Sequence, residues 1–152
     1  MGPELGLLQG SLTSERVWCV MKLNRASALG VFAGIHLARQ GKKAPIQGKE
    51  IAESLGTPHD YLLKVLQQLV KARIFMSERG PAGGFQLRKD PDQITLLDIV
   101  EAIEGPIDGD SNVLHEIQAQ PNAKHSLESA YNDVARFARS LLKKTTIKDL
   151  AA

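Results

Sequence analysis

The sequence predicts a mainly α-helical fold with one small β-hairpin: a short helix, a turn and a longer helix stand before the hairpin, and a long helix follows near the C-terminus. Three observations predict it. Leu62, Val65, Leu66 and Leu69 recur at three- and four-residue spacing, which makes one apolar face on a helix. Directly afterwards the pattern becomes strand-like, with Ile74-Phe75-Met76-Ser77 and Phe85-Gln86-Leu87 flanking the glycine-rich Glu78-Arg79-Gly80-Pro81-Ala82-Gly83-Gly84. Ser126 to Lys144 then carries Leu127, Ala130, Tyr131, Val134, Ala138, Leu141 and Leu142 at near-heptad spacing.

In chain order, residues 1–20 hold Gly2, Pro3, Gly6 and Gly10 with weak periodicity and are expected to be a poorly ordered extension, Met21-Lys22-Leu23 reading as the natural domain start. Asn24 to Arg39 is expected to be helical, with Asn24 as cap, an apolar stripe of Ala28, Val31, Phe32, Ile35 and Ala38, and Gly41 as terminator. Pro45-Ile46 suits a short strand. Gln47 to Leu55 forms a second helix that faces inward through Ile51, Ala52 and Leu55 and ends at Gly56.

Thr57 is placed to cap the next helix, with Pro58 at its first position and Asp60 at its third, a capping-box-like arrangement. Two helices joined by a glycine turn are a helix-turn-helix, and the hairpin that follows makes it winged. Gly80, Gly83 and Gly84 are expected at positive φ. Thr95 and Asp98 form a capping box for a helix to Ile103 that turns Leu96, Ile99, Val100 and Ile103 inward. Gly105-Pro106 stops it, and residues 105–123 read as a loop with a short turn near Val113 to Ile117. Residues 124–152 hold the long helix and a capped turn from Thr145 to Leu150. The domain limits are therefore 1–20, 21–104, 105–123 and 124–152.

At 152 residues the chain is one domain with a real core, and its net charge is only +2. That charge is unevenly placed: ten Lys or Arg oppose four Asp or Glu from Met21 to Leu87, whereas eight oppose eleven from Arg88 to Ala152. A polyanionic partner for the first half follows. Cys19 is the only cysteine, which excludes an internal disulfide and a multi-cysteine metal site and suits the cytoplasm. No apolar run approaches membrane-spanning length, so no membrane partner is expected.

The polar side of the 57–71 helix presents His59, Asp60, Leu63, Lys64, Gln67 and Lys71, and Arg79 stands at the hairpin tip. Arginine alone offers a planar fork for guanine or for a narrow minor groove. Lys64 suits phosphate or guanine, and Thr57 with the open N–H groups at the helix start suits phosphate. His59 reads equally well as a base reader and as an exposed residue beside the helix start.

Tyr61-Leu62, Leu66, Leu69-Val70-Lys71-Ala72, Ser77, Arg79-Gly80-Pro81-Ala82-Gly83-Gly84-Phe85-Gln86-Leu87, Ile94-Thr95-Leu96 and Asp98-Ile99-Val100-Glu101-Ala102-Ile103 together resemble the Rrf2 family of bacterial transcription regulators, from about Met21 to Leu150. The resemblance implies a homodimeric winged-helix protein, with a repressor expected, that binds double-stranded DNA at a pseudo-palindromic operator. By position it makes Thr57, His59, Asp60, Lys64, Ser77, Arg79 and Gly80 the DNA-contacting candidates. The long helix, through Leu127, Tyr131, Val134, Ala138 and Leu141, supplies the dimer interface. A small molecule or partner protein is expected as effector.

One departure matters. The family's best-known members hold an iron–sulfur cluster through three cysteines in the loop before the long helix, and here Glu104 to Lys124 contains none, so no cofactor and no metal are expected. His115, Glu116, His125, Asp108 and Asp110 make only a weak metal pattern, and Asp108 to Asn112 lacks the glycine and the distal acid of a calcium loop. An enzyme is not expected: Ser140-Leu141-Leu142-Lys143 matches a serine–lysine nucleophile pattern without its companion motifs, and the hairpin glycines lack a phosphate-loop lysine. The alternative function is a winged helix that docks a protein in place of an operator.

Overall fold

The computed structural model describes residues 23–41, 44–108 and 116–152. The expected N-terminal extension, the turn near Val113 and the calcium-like segment beyond Asp108 lie outside them, as does His115. Six α-helices and a two-stranded hairpin are seen among the described residues: α1 Arg25–Gln40, α2 Gly48–Ser54, α3 His59–Lys71, β1 Phe75–Glu78, β2 Gly84–Leu87, α4 Leu96–Glu104, α5 Pro121–Lys144 and α6 Ile147–Ala151. A 3-10 turn at Pro91–Gln93 joins the hairpin to α4.

The helix α1 is the centre of the core. Asn24 caps it by accepting from the Ser27 N–H at 2.8 Å, and Gly41 closes it at a φ of 71°. The helices α3, α4 and α6 pack around it, so its burial is not the single stripe expected. Leu29, Val31, Ala33, Ile35 and Leu37 are buried on several sides, whereas Phe32, expected inside, is 55% exposed. Two glycines permit this crowding: a Cβ at Gly30 would lie 2.6 Å from Ile103 Cδ1, and one at Gly34 would lie 3.3 Å from Ile147 Cδ1.

The second of these contacts joins the C-terminal segment to α1. The C-terminal segment is part of the core: Ile147 is fully buried, its N–H donates to Ile94 O at 2.9 Å, and the Leu96 N–H donates to Thr145 O at 2.9 Å. Two capping boxes, Thr95 with Asp98 and Thr146 with Asp149, fix the two helix starts that meet there. Hydrogen bonds from the Thr146 backbone and hydroxyl hold the Asp149 carboxyl below its usual range.

The long helix starts at Pro121, with Pro at its first position, five residues before the expected start at Ser126. On its inner side Ala135 is buried against Leu97, Val100 and Ile107, with Ala138 and Leu142 half-buried beside it. Arg139 pairs with Glu101, which also accepts from the Ile107 N–H at 3.0 Å, and this ties α5 to α4. Ala138 thus belongs to the contact within the chain, while Leu127, Tyr131, Val134 and Leu141 remain 43–52% exposed.

Candidate nucleic-acid interface

The helix α3 buries Leu62, Val65, Leu66 and Leu69 to 2% exposure or less, so its apolar stripe is spent on the core and its orientation is fixed. About 1.5–3 kcal/mol per buried side chain holds it there. The opposite side turns His59, Asp60, Lys64, Gln67 and Lys71 outward. At 3.6 residues per turn, Asp60, Lys64, Gln67 and Lys71 fall on one line along the helix.

Its start differs from expectation. The residue at the cap is Pro58, with no side-chain cap bond, and Thr57 Oγ1 is buried without a hydrogen-bond partner. The Thr57 N–H donates to Ala52 O at 3.0 Å, which closes the turn after α2 and carries the hydroxyl inward. Neither the capping-box-like pair nor an exposed Thr57 hydroxyl is formed. His59 is 46% exposed, its Nδ1 lies 3.4 Å from an almost fully exposed Asp60, and its ring leans towards the start of α2, where a Cβ at Gly48 would lie 3.5 Å from Nε2. Arg25 stacks over the Tyr61 ring at 5.7 Å and holds the first turn of α3 to the start of α1.

The helix ends in a Schellman arrangement, with the Ile74 N–H on Leu69 O and the Arg73 N–H on Val70 O, both at 3.0 Å. The left-handed position of that motif is occupied by Arg73, at a φ of 59°. From this turn β1 runs back beside α3. Its pairing with β2 is antiparallel, Phe75 opposite Leu87 and Glu78 opposite Gly84.

The hairpin is anchored on its inner side. Ile46 exchanges two hydrogen bonds with Phe85, at 3.0 and 2.8 Å, so the expected strand at Pro45-Ile46 is a third, one-residue rung. Gln47 Nε2 donates to Pro81 O at 3.3 Å, a brace between α2 and the tip that sequence reasoning missed, since nothing local marks a glutamine for it. Gly80 and Gly84 adopt positive φ, but Gly83 does not. Gly83 is required for another reason: a Cβ there would lie 2.2 Å from Glu78 O.

Ser77, Arg79 and Gly80 are exposed at the end of β1 and on the tip. Strand alternation puts Ser77 on the same side as the buried Phe75, facing α3, and Arg79 follows just beyond the end of β1. Between helix and hairpin runs a groove of about 320 Å³ lined by Gln67, Val70, Lys71, Ser77, Arg79 and Phe85. Lys64, Lys71 and Arg79 form no ion pair among the described residues. The structure therefore brings Lys64, Ser77, Arg79 and Gly80 to one exposed, basic surface, with His59 and Asp60 at its edge and Thr57 beneath it.

Such a surface is that of a winged helix-turn-helix, and the profile described as "Rrf2: Iron-dependent Transcriptional regulator" matches residues 23–152. The chain belongs to the Rrf2 family. Its relatives include the HTH-type transcriptional regulator CymR of Bacillus subtilis, 30% identical over 132 residues, 87% of this chain and 91% of that one. The putative HTH-type transcriptional regulator BadM of Rhodopseudomonas palustris is 28% identical over 86% of this chain and 81% of its own length. The solved structure of B. subtilis CymR superposes with a TM-score of 0.70 at 29% identity, covering 86% of this chain and 96% of that one. The structure of T. potens IscR superposes at 0.66 with 26% identity, over 86% and 85%. The protein is thus a DNA-binding transcriptional regulator of the winged-helix type.

The family's description names iron. The donor set of this chain does not fit a cysteine-held cluster: residues 104–124 contain no cysteine, and Cys19 is the only one in the sequence. Among the described residues no three His, Cys, Asp or Glu side chains converge as a metal site. No described helix is long and apolar enough to cross a membrane.

Proposed function

We propose that this regulator is a homodimer, without enzymatic activity, that reads a pseudo-palindromic operator and represses transcription from it. Each α3 enters a major groove and each Arg79 enters the neighbouring minor groove. The observation that carries the reading is the division of labour on α3. Its apolar stripe is buried to 2% or less, so the side left outside is polar and basic and faces the same way as Ser77 and Arg79. His59, Asp60 and Lys64 stand over bases and phosphates at the start of the helix, and Gly80 allows the tip backbone to come close to DNA.

Two-fold assembly rests on α5. Leu127, Tyr131, Val134, Phe137 and Leu141 leave a continuous apolar strip alongside the contact of the helix with α4, and a second copy of the same strip is its natural cover. Phe137, 65% exposed, belongs to that strip and was absent from the sequence-based set. With no cluster held by its own cysteines, the signal enters as a small molecule or a partner protein that alters the spacing of the two reading helices.

Selection of bound genomic fragments by the purified full chain tests the reading. A short repeated sequence should emerge, with affinity falling steeply with salt and Arg79→Ala costing about 1–3 kcal/mol. Failure to enrich any sequence, or salt-insensitive binding, would favour the winged helix as a protein-docking module.

A further inference from the structure

We propose that the cavity between α1 and the hairpin is an effector site for a small apolar carboxylate, and that its occupant acts on DNA binding through Phe85. The inference rests on the reading of α3 and the wing given above, and it assigns the place and the chemical form in which a small-molecule signal enters.

The cavity measures about 220 Å³ and is bounded by several separate parts of the chain. Leu37 and Ala38 come from the last turn of α1, Ile46 from the segment before α2, Phe85 and Leu87 from β2, and Pro91 from the 3-10 turn. Protein interiors leave few voids larger than a water molecule, so a space of this size on the flank of the core calls for an occupant. A dry cavity of about 150 Å³ between Leu, Ile and Phe side chains accepts benzene, which sets the scale. This one accommodates a six-membered ring, or a chain of similar bulk, with one small substituent.

The lining also selects the substituent. Gln86 and Lys89 alone among the lining residues carry polar side chains, and no acid is present. Lys89 is exposed and forms no ion pair among the described residues. An apolar body bearing one carboxylate complements such walls and such an ammonium, whereas an amine would meet a like charge.

Phe85 links the cavity to the DNA-reading surface. It lines the cavity on one side and the groove between α3 and the hairpin on the other, and its backbone exchanges two hydrogen bonds with Ile46, which is itself a wall of the cavity. Those two bonds anchor the hairpin to the segment before α2. A ligand held between α1 and Phe85 therefore favours the hairpin position that fits it, at the expense of others. Ser77 and Arg79 travel with the hairpin, so occupancy changes operator affinity, and the operator changes ligand affinity by the same factor. The ligand acts first on the wing of its own subunit.

Hexanoate, cyclohexanecarboxylate and phenylacetate, each beside its uncharged amide, test this on the full chain by titration calorimetry and by fluorescence polarisation with the selected operator. At least one acid should bind, about two- to fivefold more tightly than its amide, and Lys89→Ala should remove that difference. Ala38→Phe, which places a ring in the cavity, should weaken binding of the acid by roughly tenfold or more. Thermal unfolding verifies that this variant is folded, and Lys89→Ala, at an exposed position, keeps the proposal testable if it is not. Saturating acid should change the operator affinity of wild type by about fivefold or more and leave that of Ala38→Phe unaltered. Absence of binding by all the acids, equal binding of acid and amide, or binding that survives a folded Ala38→Phe would each overturn the assigned site. Binding without any change in operator affinity would overturn its role as effector. If wild type binds no DNA, the reading of α3 and the wing fails, while calorimetry still decides the cavity.

Discussion

The helices α3 and α5 are both amphipathic, and they use the same device in opposite ways. In α3 the three leucines and one valine of the stripe are all buried inside the chain, and the face left outside is polar and basic. In α5, nearly twice as long, Ala135 is the one described residue fully buried, and the face left outside carries Leu127, Tyr131, Val134, Phe137 and Leu141. A polar outer face is stable in water and available to a polyanion. An apolar one is stable only when another apolar surface covers it.

The sharpest way to break the contrast is to make one chemical change in both helices. Leu66→Ala should cost about 2–5 kcal/mol in chemical denaturation of the isolated subunit, because a fully buried side chain leaves a cavity. Leu127→Ala, 43% exposed, should leave subunit unfolding within about 0.5 kcal/mol and register in self-association instead. Equal losses of subunit stability would mean that α5 packs on its own domain more fully than the structure shows.

A smaller effect on folding, yet a decisive one on assembly, is expected of Tyr131→Glu with Phe137→Glu. Two carboxylates within a strip that meets its own copy should raise the dimer dissociation constant by roughly 100-fold or more in sedimentation equilibrium, since they would be desolvated without partners. The same pair of charges on the outer face of α3 should leave oligomeric state unchanged.

At the end of α3, Arg73→Gly should stabilise the protein by about 0.5–1 kcal/mol in thermal unfolding, because glycine adopts the left-handed φ of 59° without steric cost. Unchanged operator affinity would show that the strained arginine contributes nothing to DNA binding. The smallest effect belongs to the segment that returns α5 to the core. Asp149, with its carboxyl held below the usual range by Thr146, contributes stability that is present above the ordinary carboxylate value and lost as pH falls through its lower folded value. The difference in unfolding midpoint between wild type and Asp149→Ala should therefore persist at neutral pH and close in strong acid.

Much of this site was legible without coordinates because its signals are local. The caps at Asn24, Thr95 and Thr146 act within three residues, and the α3 stripe repeats within a turn, so each is written in contiguous sequence. Thr57 shows the limit of that reasoning. The residue has the right type at the right spacing to cap a helix, yet the α2–α3 turn carries its hydroxyl inward and Pro58 takes the cap position. Gln47 was equally hidden, since its brace to Pro81 depends on a hairpin that comes much later in the chain and folds back beside it.

By itself, then, the sequence determined which segments are helices, where they stop, that a basic helix-turn-helix precedes a glycine-rich hairpin, and that no cysteine is available in residues 104–124. Tertiary structure alone decided which faces are covered. Gly30 and Gly34 became seats for Ile103 and Ile147, Phe32 was left outside, and α5 was divided between an inner contact at Ala135 and an open strip beginning at Leu127. The physical reason is that periodicity states how many apolar faces a helix has, whereas burial depends on which distant segments arrive to cover them.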